Sequence, residues 1–252
     1  YYNRGKVYRA LEEYKLAISD YDTAIEIDPD DLDAYNNRGN AYRDLGEYDL
    51  AFEDFNYVLE QDPEYINAYN NRGNTYLDLG EYDLAMADYN TAIEIDDEFA
   101  DVYYNRGNIY YDLAEYDLSI ADYTTAIELD DQYADAYYNR GNAYADTQQY
   151  DLAFADYATA LEIDPEDADV YYNRGVTYDE IEEYDLAFED YTMAITFDPE
   201  YDLAYLNRGI TYLYSYEQCD LARADFDMLL ELVPDFEQAD VIDSELAKYC
   251  SD

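Results

Sequence analysis

The sequence predicts an all-α solenoid of helix-turn-helix repeats, and three observations carry that prediction. First, Asn-Arg-Gly recurs at Asn3, Asn37, Asn71, Asn105, Asn139, Asn173 and Asn207, each copy 34 residues after the last. A fixed period of this length marks an array in which each unit buries its apolar face against its neighbours. Second, small and apolar residues fall three and four apart in two separate runs per period, as on two helices. Third, a short polar break divides the runs, and Asp-Pro closes most units because the residue before proline avoids the helical region. Length alone allows one or two domains; the period makes one continuous array of the 252 residues.

The unit from Leu32 to Tyr65 shows how each element is read. Tyr35, Gly39 and Tyr42 lie on one face of a first helix, and Ala51, Phe55 and Val58 on one face of a second. Leu45-Gly46-Glu47-Tyr48-Asp49 separates them, with Asp49 expected to cap the second helix through its carboxylate. Asp62-Pro63 ends it. The units run to about residue 31, then 32–65, 66–99, 100–133, 134–167, 168–201 and 202–236. The chain starts at Tyr1, without Met and inside a repeat, so a preceding segment is expected. The last unit holds one extra residue near Cys219. Phe236 to Cys250 reads as a lone helix with Ala239, Ile242, Leu246 and Tyr249 on one face, so 237–252 is expected to be a C-terminal capping helix.

This pattern resembles the tetratricopeptide repeat family over essentially the whole chain. The family's first-helix glycine and two small second-helix residues correspond to Gly39, Ala51 and, less well, Val58. The following units have Gly73, Ala85 and Ala92; Gly107, Ser119 and Ala126; Gly141, Ala153 and Ala160; Gly175, Ala187 and Ala194. The large residue that opens the first helix is Tyr at Tyr35, Tyr69, Tyr103, Tyr137, Tyr171 and Tyr205. The closing proline is kept at Pro29, Pro63, Pro165, Pro199 and Pro234 but is Asp97 and Asp131 in two units. The resemblance implies a right-handed α-solenoid that serves as a non-enzymatic interaction scaffold.

The sequence departs from the family at two places. The family usually has Leu before the first-helix glycine; here every copy has Arg, and an Asp follows 16 residues later, or 17 after Arg208 because of the extra residue. Arg38 with Asp54, Arg72 with Asp88, Arg106 with Asp122, Arg140 with Asp156 and Arg174 with Asp190 are expected to pair across each hairpin, with a branch to the neighbouring unit open. The second departure is tyrosine, with 37 copies and no Trp. The column Tyr42, Tyr76, Tyr110, Tyr144, Tyr178 and Tyr212 is read as structural.

First-helix positions beside the packing set line the concave groove in the family. Here they form a stripe of Asn36, Asn70, Tyr104, Tyr138 and Tyr172, then Asn40, Asn74, Asn108 and Asn142, then Asp44, Asp78, Asp112, Asp146 and Glu180, with Tyr111 alongside. A solvated polar face and a ligand groove both fit it. As a groove it suits a basic or polar protein segment, through amide contacts, stacking and carboxylates. Some family members clamp acidic tails with Lys and Arg at this place; only Arg43 is basic here. Tyr with Asn and Asp would also suit a carbohydrate.

Cys219 and Cys250 are expected to form a disulfide that pins the capping helix. That bond would favour an extracellular, cell-surface or periplasmic location, and its absence a cytoplasmic one. The composition sets 13 Lys and Arg against 63 Asp and Glu, a net charge of -50, which repels nucleic acid and anionic membranes. There is no His, so the usual triads and His-ligated metal sites are absent. No cofactor is expected beyond weak calcium or other cation binding, for example at Asp28-Pro29-Asp30-Asp31 or Asp96-Asp97-Glu98. Two functions remain open: an interaction scaffold using its groove, and a structural subunit stacked end to end in a filament or cell-surface assembly.

Overall fold

A computed structural model describes residues 1–250. Fifteen helices and no strand occur among the described residues. In chain order they are α1 (Tyr2–Ala10), α2 (Tyr14–Ile27), α3 (Leu32–Asp44), α4 (Tyr48–Gln61), α5 (Ile66–Asp78), α6 (Tyr82–Ile95), α7 (Ala100–Asp112), α8 (Tyr116–Leu129), α9 (Ala134–Asp146), α10 (Tyr150–Ile163), α11 (Ala168–Glu180), α12 (Tyr184–Phe197), α13 (Asp202–Tyr214), α14 (Cys219–Leu232) and α15 (Ala239–Tyr249). The chain divides into two compact units, Tyr1–Asp131 and Gln132–Asp252. Inside each, successive helices pair as hairpins, and each hairpin packs on the next. Odd-numbered helices also touch one another, α1 to α3, α3 to α5 and α5 to α7 in the first unit and α9 to α11 in the second. They therefore line the inner side of each unit.

Packing inside a hairpin rests on one close approach. A Cβ added at Gly73 would lie 2.6 Å from the Tyr89 ring, and one at Gly107 or Gly141 would lie 2.8 Å from Tyr123 or Tyr157. Only glycine leaves room for a ring at that depth. Tyr21, Tyr89, Tyr123, Tyr157 and Tyr191 are accordingly the largest fully buried side chains, with Phe55 in the same position of its repeat. The small residues Ala51, Ala85, Ser119, Ala153 and Ala187 complete the contact and are themselves buried.

Three details differ from the sequence reading. Asp49 does not cap α4: Glu47 holds that position without a side-chain cap, and Asp49 sits in the first turn, where its charge faces the helix dipole. The capping helix begins at Ala239 and not at 237, because Glu237 and Gln238 form a turn before it; the last two residues of the expected cap lie outside the described residues. Proline is not what stops the second helices. Asp96 and Asp130 end α6 and α8 at the same place as Asp62 ends α4, without a proline after them. An Asx-type turn does the work: the Asp96 carboxylate accepts from Glu98 N at 2.9 Å, as Asp62 does from Glu64 N at 3.0 Å.

Each motif arginine forms a two-pronged ion pair inside its hairpin. Arg38 Nε and Nη2 donate to Asp54 at 2.8 and 2.6 Å, and Arg106 to Asp122 at 2.7 and 2.7 Å. Arg72 with Asp88, Arg140 with Asp156 and Arg174 with Asp190 repeat the geometry, and Arg208 meets Asp225 despite the extra residue. The remaining nitrogen reaches the preceding repeat, from Arg38 to Asp22 at 2.6 Å, Arg72 to Asn56 at 2.6 Å and Arg106 to Asn90 at 2.7 Å. The guanidinium also lies over tyrosine rings, as Arg106 does at Tyr103 and Tyr110.

At the C-terminal end, Ile242 and Leu246 of α15 are buried with Leu213, Phe226 and Leu229. Cys219, the first residue of α14, is bonded to Cys250 with Cα atoms 5.7 Å apart.

Two outcomes follow from this packing. Replacing Arg106 by Leu strands a buried carboxylate and should cost about 3 kcal/mol or more. Asp122→Leu should also destabilise, and the double replacement should cost clearly less than the sum, as measured by denaturant melts of all four proteins. The second concerns alkaline pH. Burial pushes the Tyr21 hydroxyl up to about 12 and those of Tyr89, Tyr123 and Tyr157 well above their ordinary value. The folded state thus keeps protons that the unfolded chain releases near 10, so this stability is complete below that pH and is lost as pH rises beyond it. Tyrosinate absorbance should show an exposed class titrating first, and a buried class that ionises only as helical circular dichroism disappears.

Candidate functional site

The inner faces of the two units carry the residues that the sequence singles out for a groove. Spacing alone points all of them outward, but the structure buries part of the set. Asn36, Asn40 and Asn70 are only 6%, 7% and 7% exposed. Asn71 Nδ2 donates to Asn36 Oδ1 at 3.0 Å, and Asn105 Nδ2 donates to Asn70 Oδ1 at 2.9 Å. The same bond reaches tyrosines in this column: Asn37 Nδ2 donates to the Tyr2 hydroxyl at 3.0 Å and Asn173 Nδ2 to the Tyr138 hydroxyl at 2.6 Å. The asparagine of each of these Asn-Arg-Gly motifs therefore fastens one repeat to the one before. Asn36 and Asn70 are thus buried joints between repeats.

The next column is partly committed within its own hairpin. The buried tyrosine of the second helix donates its hydroxyl to the asparagine side chain, from Tyr89 to Asn74 at 2.5 Å, Tyr123 to Asn108 at 2.7 Å and Tyr157 to Asn142 at 2.8 Å. Buried hydroxyls need such partners. Where Phe55 takes the tyrosine's place, Asn40 Oδ1 is left without a protein partner. Where Val176 replaces the asparagine, Tyr191 donates instead to Asp179. Sequence periodicity marks these columns, but which side chain reaches which depends on helix rotation, and spacing alone does not supply that.

What remains at the surface is aromatic and acidic. Tyr104, Tyr111, Tyr138 and Tyr172 are half-buried. Tyr104 tilts against Tyr123 at 6.0 Å, Tyr138 against Tyr157 at 6.5 Å, and Tyr172 against Tyr191 and Tyr201 at 5.9 and 5.0 Å. Tyr111 meets Tyr116 edge-on at 5.6 Å. Burial raises the Tyr172 hydroxyl above its ordinary range, so it stays protonated at neutral pH.

The acidic column changes character along the first unit. Arg9 pairs with Asp44 at 2.5 Å and Arg43 with Asp78 at 2.6 Å, so the first two carboxylates are neutralised. In the next repeat the arginine's place is taken by Leu77, and Asp112 accepts a 3.2 Å bond from the Tyr82 hydroxyl. Asp112 and, in the second unit, Glu180 are exposed carboxylates on these inner-face helices.

No group of three or more Cys, Asp or Glu that could hold a metal ion occurs among the described residues. The acidic turns proposed for calcium use a carboxylate internally: Asp28 accepts from Asp30 N at 3.3 Å and Asp96 from Glu98 N at 2.9 Å. No helix among the described residues is long and apolar enough to cross a membrane.

With this geometry in hand, the chain can be set beside known proteins. The TPR repeat family profile matches residues 5–43, 39–80, 73–114, 107–148 and 141–181, and the tetratricopeptide repeat profile matches 168–201. No curated protein matches the sequence. Among solved structures, YrrB, described as a TPR protein with an unusual peptide-binding site, is 29% identical; the match covers 73% of this chain and 95% of YrrB with a TM-score of 0.58. MamA is 27% identical over 64% of this chain and 95% of its own, also at 0.58. PilF of Pseudomonas aeruginosa, at 21% identity, shares the fold with a TM-score of 0.75, covering 85% of this chain and 97% of that one. The chain belongs to the tetratricopeptide repeat family, whose all-α solenoid generally serves as a non-catalytic scaffold for protein interactions.

Proposed function

We propose that this protein is an interaction scaffold whose inner face takes a basic or polar segment of a partner protein. The observation that carries the reading is the shift in the acidic column. Asp44 and Asp78 are answered by arginines, whereas Asp112 accepts from the Tyr82 hydroxyl and the exposed Glu180 is hydrogen-bonded with Tyr150. Half-buried tyrosine rings share the helices of these carboxylates in neighbouring columns, Tyr104 and Tyr111 with Asp112 on α7 and Tyr172 with Glu180 on α11, so within each unit a Lys or Arg side chain would meet a carboxylate and π-faces together. A net charge of -50 draws such a segment in and slows its competitors. YrrB, with its peptide-binding site, is a relative of the same fold.

The end-to-end filament is the weaker reading. The apolar end of the last hairpin is already covered by Ile242 and Leu246 of α15, which the Cys219–Cys250 bond ties down. That disulfide supports a place in an oxidising compartment, outside the cytoplasm.

Calorimetric titration with an unstructured Lys/Arg-rich peptide and its Asp/Glu counterpart tests the reading. The basic peptide should bind, more weakly as salt rises, and the acidic one should not. Replacing Asp112 by Asn and Glu180 by Gln together should weaken the basic peptide by roughly threefold to tenfold. Equal binding of the acidic peptide, or no change in the double variant, would overturn it.

A further inference from the structure

One surface feature of the first unit serves neither the core nor the inner face. At each of its four hairpin turns the chain reads Leu-x-Glu-Tyr-x-Leu, from Leu11 to Leu16, Leu45 to Leu50, Leu79 to Leu84 and Leu113 to Leu118. All eight leucines are exposed, between 37% for Leu45 and 65% for Leu11. None belongs to a core cluster. The first leucine of each pair ends its hairpin's first helix, and the second lies in the opening turn of the partner helix. Since the hairpins stack in one orientation, the pairs follow one another along a single edge of this unit. Single exposed leucines are ordinary, but exposed leucines repeated at every turn of one edge point to a contact surface.

Turn chemistry does not require the first leucine. The second unit builds the corresponding turns with Thr147, Ile181 and Ser215 at that position. The residue after it takes a left-handed conformation whichever side chain precedes, at Glu12, Gly46, Gly80 and Ala114 in the first unit and at Gln148 and Glu182 in the second. Nor is leucine held there by copying alone, since other exposed positions drift between repeats, as Glu53, Ala87 and Ala121 do on the following turn. Leu152, Leu186 and Leu221 keep the second leucine in the second unit, but a leucine pair at every turn is confined to the first.

Its surroundings define the occupant. Within the four segments the charged residues are Glu12, Glu13, Glu47, Asp49, Glu81, Asp83, Glu115 and Asp117, against Lys15 alone. All are exposed. A second copy of the chain would bring the same acids into opposition, and an anionic lipid surface would be repelled as well. We propose that this edge is a second docking surface, separate from the inner face, for an amphipathic helix that carries leucine-like side chains interleaved with Lys or Arg. Apolar anchors would supply affinity, and the flanking acids would exclude acidic partners and speed encounter.

The test uses a fluorescent helical peptide of Leu and Lys, with an all-Lys peptide of equal charge and a Leu/Glu peptide as controls. The variant combines Leu50→Ser, Leu84→Ser and Leu118→Ser, three exposed positions, with Leu84→Lys alone as a milder second variant. The Leu/Lys peptide should bind the wild-type chain more tightly than the all-Lys peptide does. The triple variant should lose roughly tenfold or more of that affinity, keep its wild-type response to all-Lys, and melt as wild type does. Leu152→Ser, in the second unit, should change nothing. Wild-type affinity of the triple variant or of Leu84→Lys would overturn the proposal. Equal binding of the Leu/Lys and all-Lys peptides would do so too. A wild-type dimer that the triple variant splits would show that the row is filled by another copy of this chain.

Discussion

The fork between the motif arginine and its aspartate holds each hairpin in register. It places a cation and an anion in a mostly apolar seam, where losing either would strand the other. The surrounding tyrosines shield it, with Arg38 over Tyr35 and Tyr42 in one repeat and Arg140 over Tyr137 and Tyr144 in another. Two neighbours of the arginine depend on the same registration. The glycine that follows it receives the ring from the facing helix, and the asparagine that precedes it reaches the previous repeat. Three adjacent residues thus set the contact within a hairpin, the helix separation and the contact between hairpins. Few other residues need to be invariant for the array to form, which leaves the inner-face and edge positions able to differ from repeat to repeat.

The architecture was legible because a period of 34 is a property of the chain itself and survives any uncertainty about side-chain direction. Helix limits were harder where two signals competed. Asp49 looked like a cap by residue type, yet the left-handed residue at Gly46 starts α4 two positions earlier than that reading needs. Proline looked like the stop, while the aspartate before it closes the turn with its own side chain. The groove was legible only in part. Counting four residues on from a packing position lands on Asn36 and on Tyr104 alike, but a short amide tucks between repeats while a long phenol extends past them. Asn36 is consequently buried and Tyr104 half-buried in equivalent places. The buried tyrosines of the second helices escaped notice for a related reason. Tyrosine is so common in this chain that its presence at Tyr89 or Tyr157 carries no signal until the glycine opposite is considered.

The acidity has a structural reading as well as a functional one. Most of the carboxylates are solvated, and with the seven motif arginines committed to pairs few cations remain to balance them. Self-repulsion of that size opposes compaction. Covalent and buried polar contacts offset it at particular points: the disulfide at the C-terminal end, the inter-repeat amide bonds along the inner face, and the forks in between.

One position in the fork series has a wider consequence. The third nitrogen of Arg38, Arg72 and Arg106 reaches a side chain on the previous hairpin, but in the register of Arg174 that place is Ala158, a methyl group. A linear array behaves as a chain of coupled segments, each stabilised by the one beside it. Where one coupling weakens, cooperativity breaks, and partial opening stops or starts at that boundary. The α10–α11 junction is therefore held by the Asn173–Tyr138 bond and the stacked rings of Phe154 and Tyr178, without the arginine branch that ties the earlier repeats together.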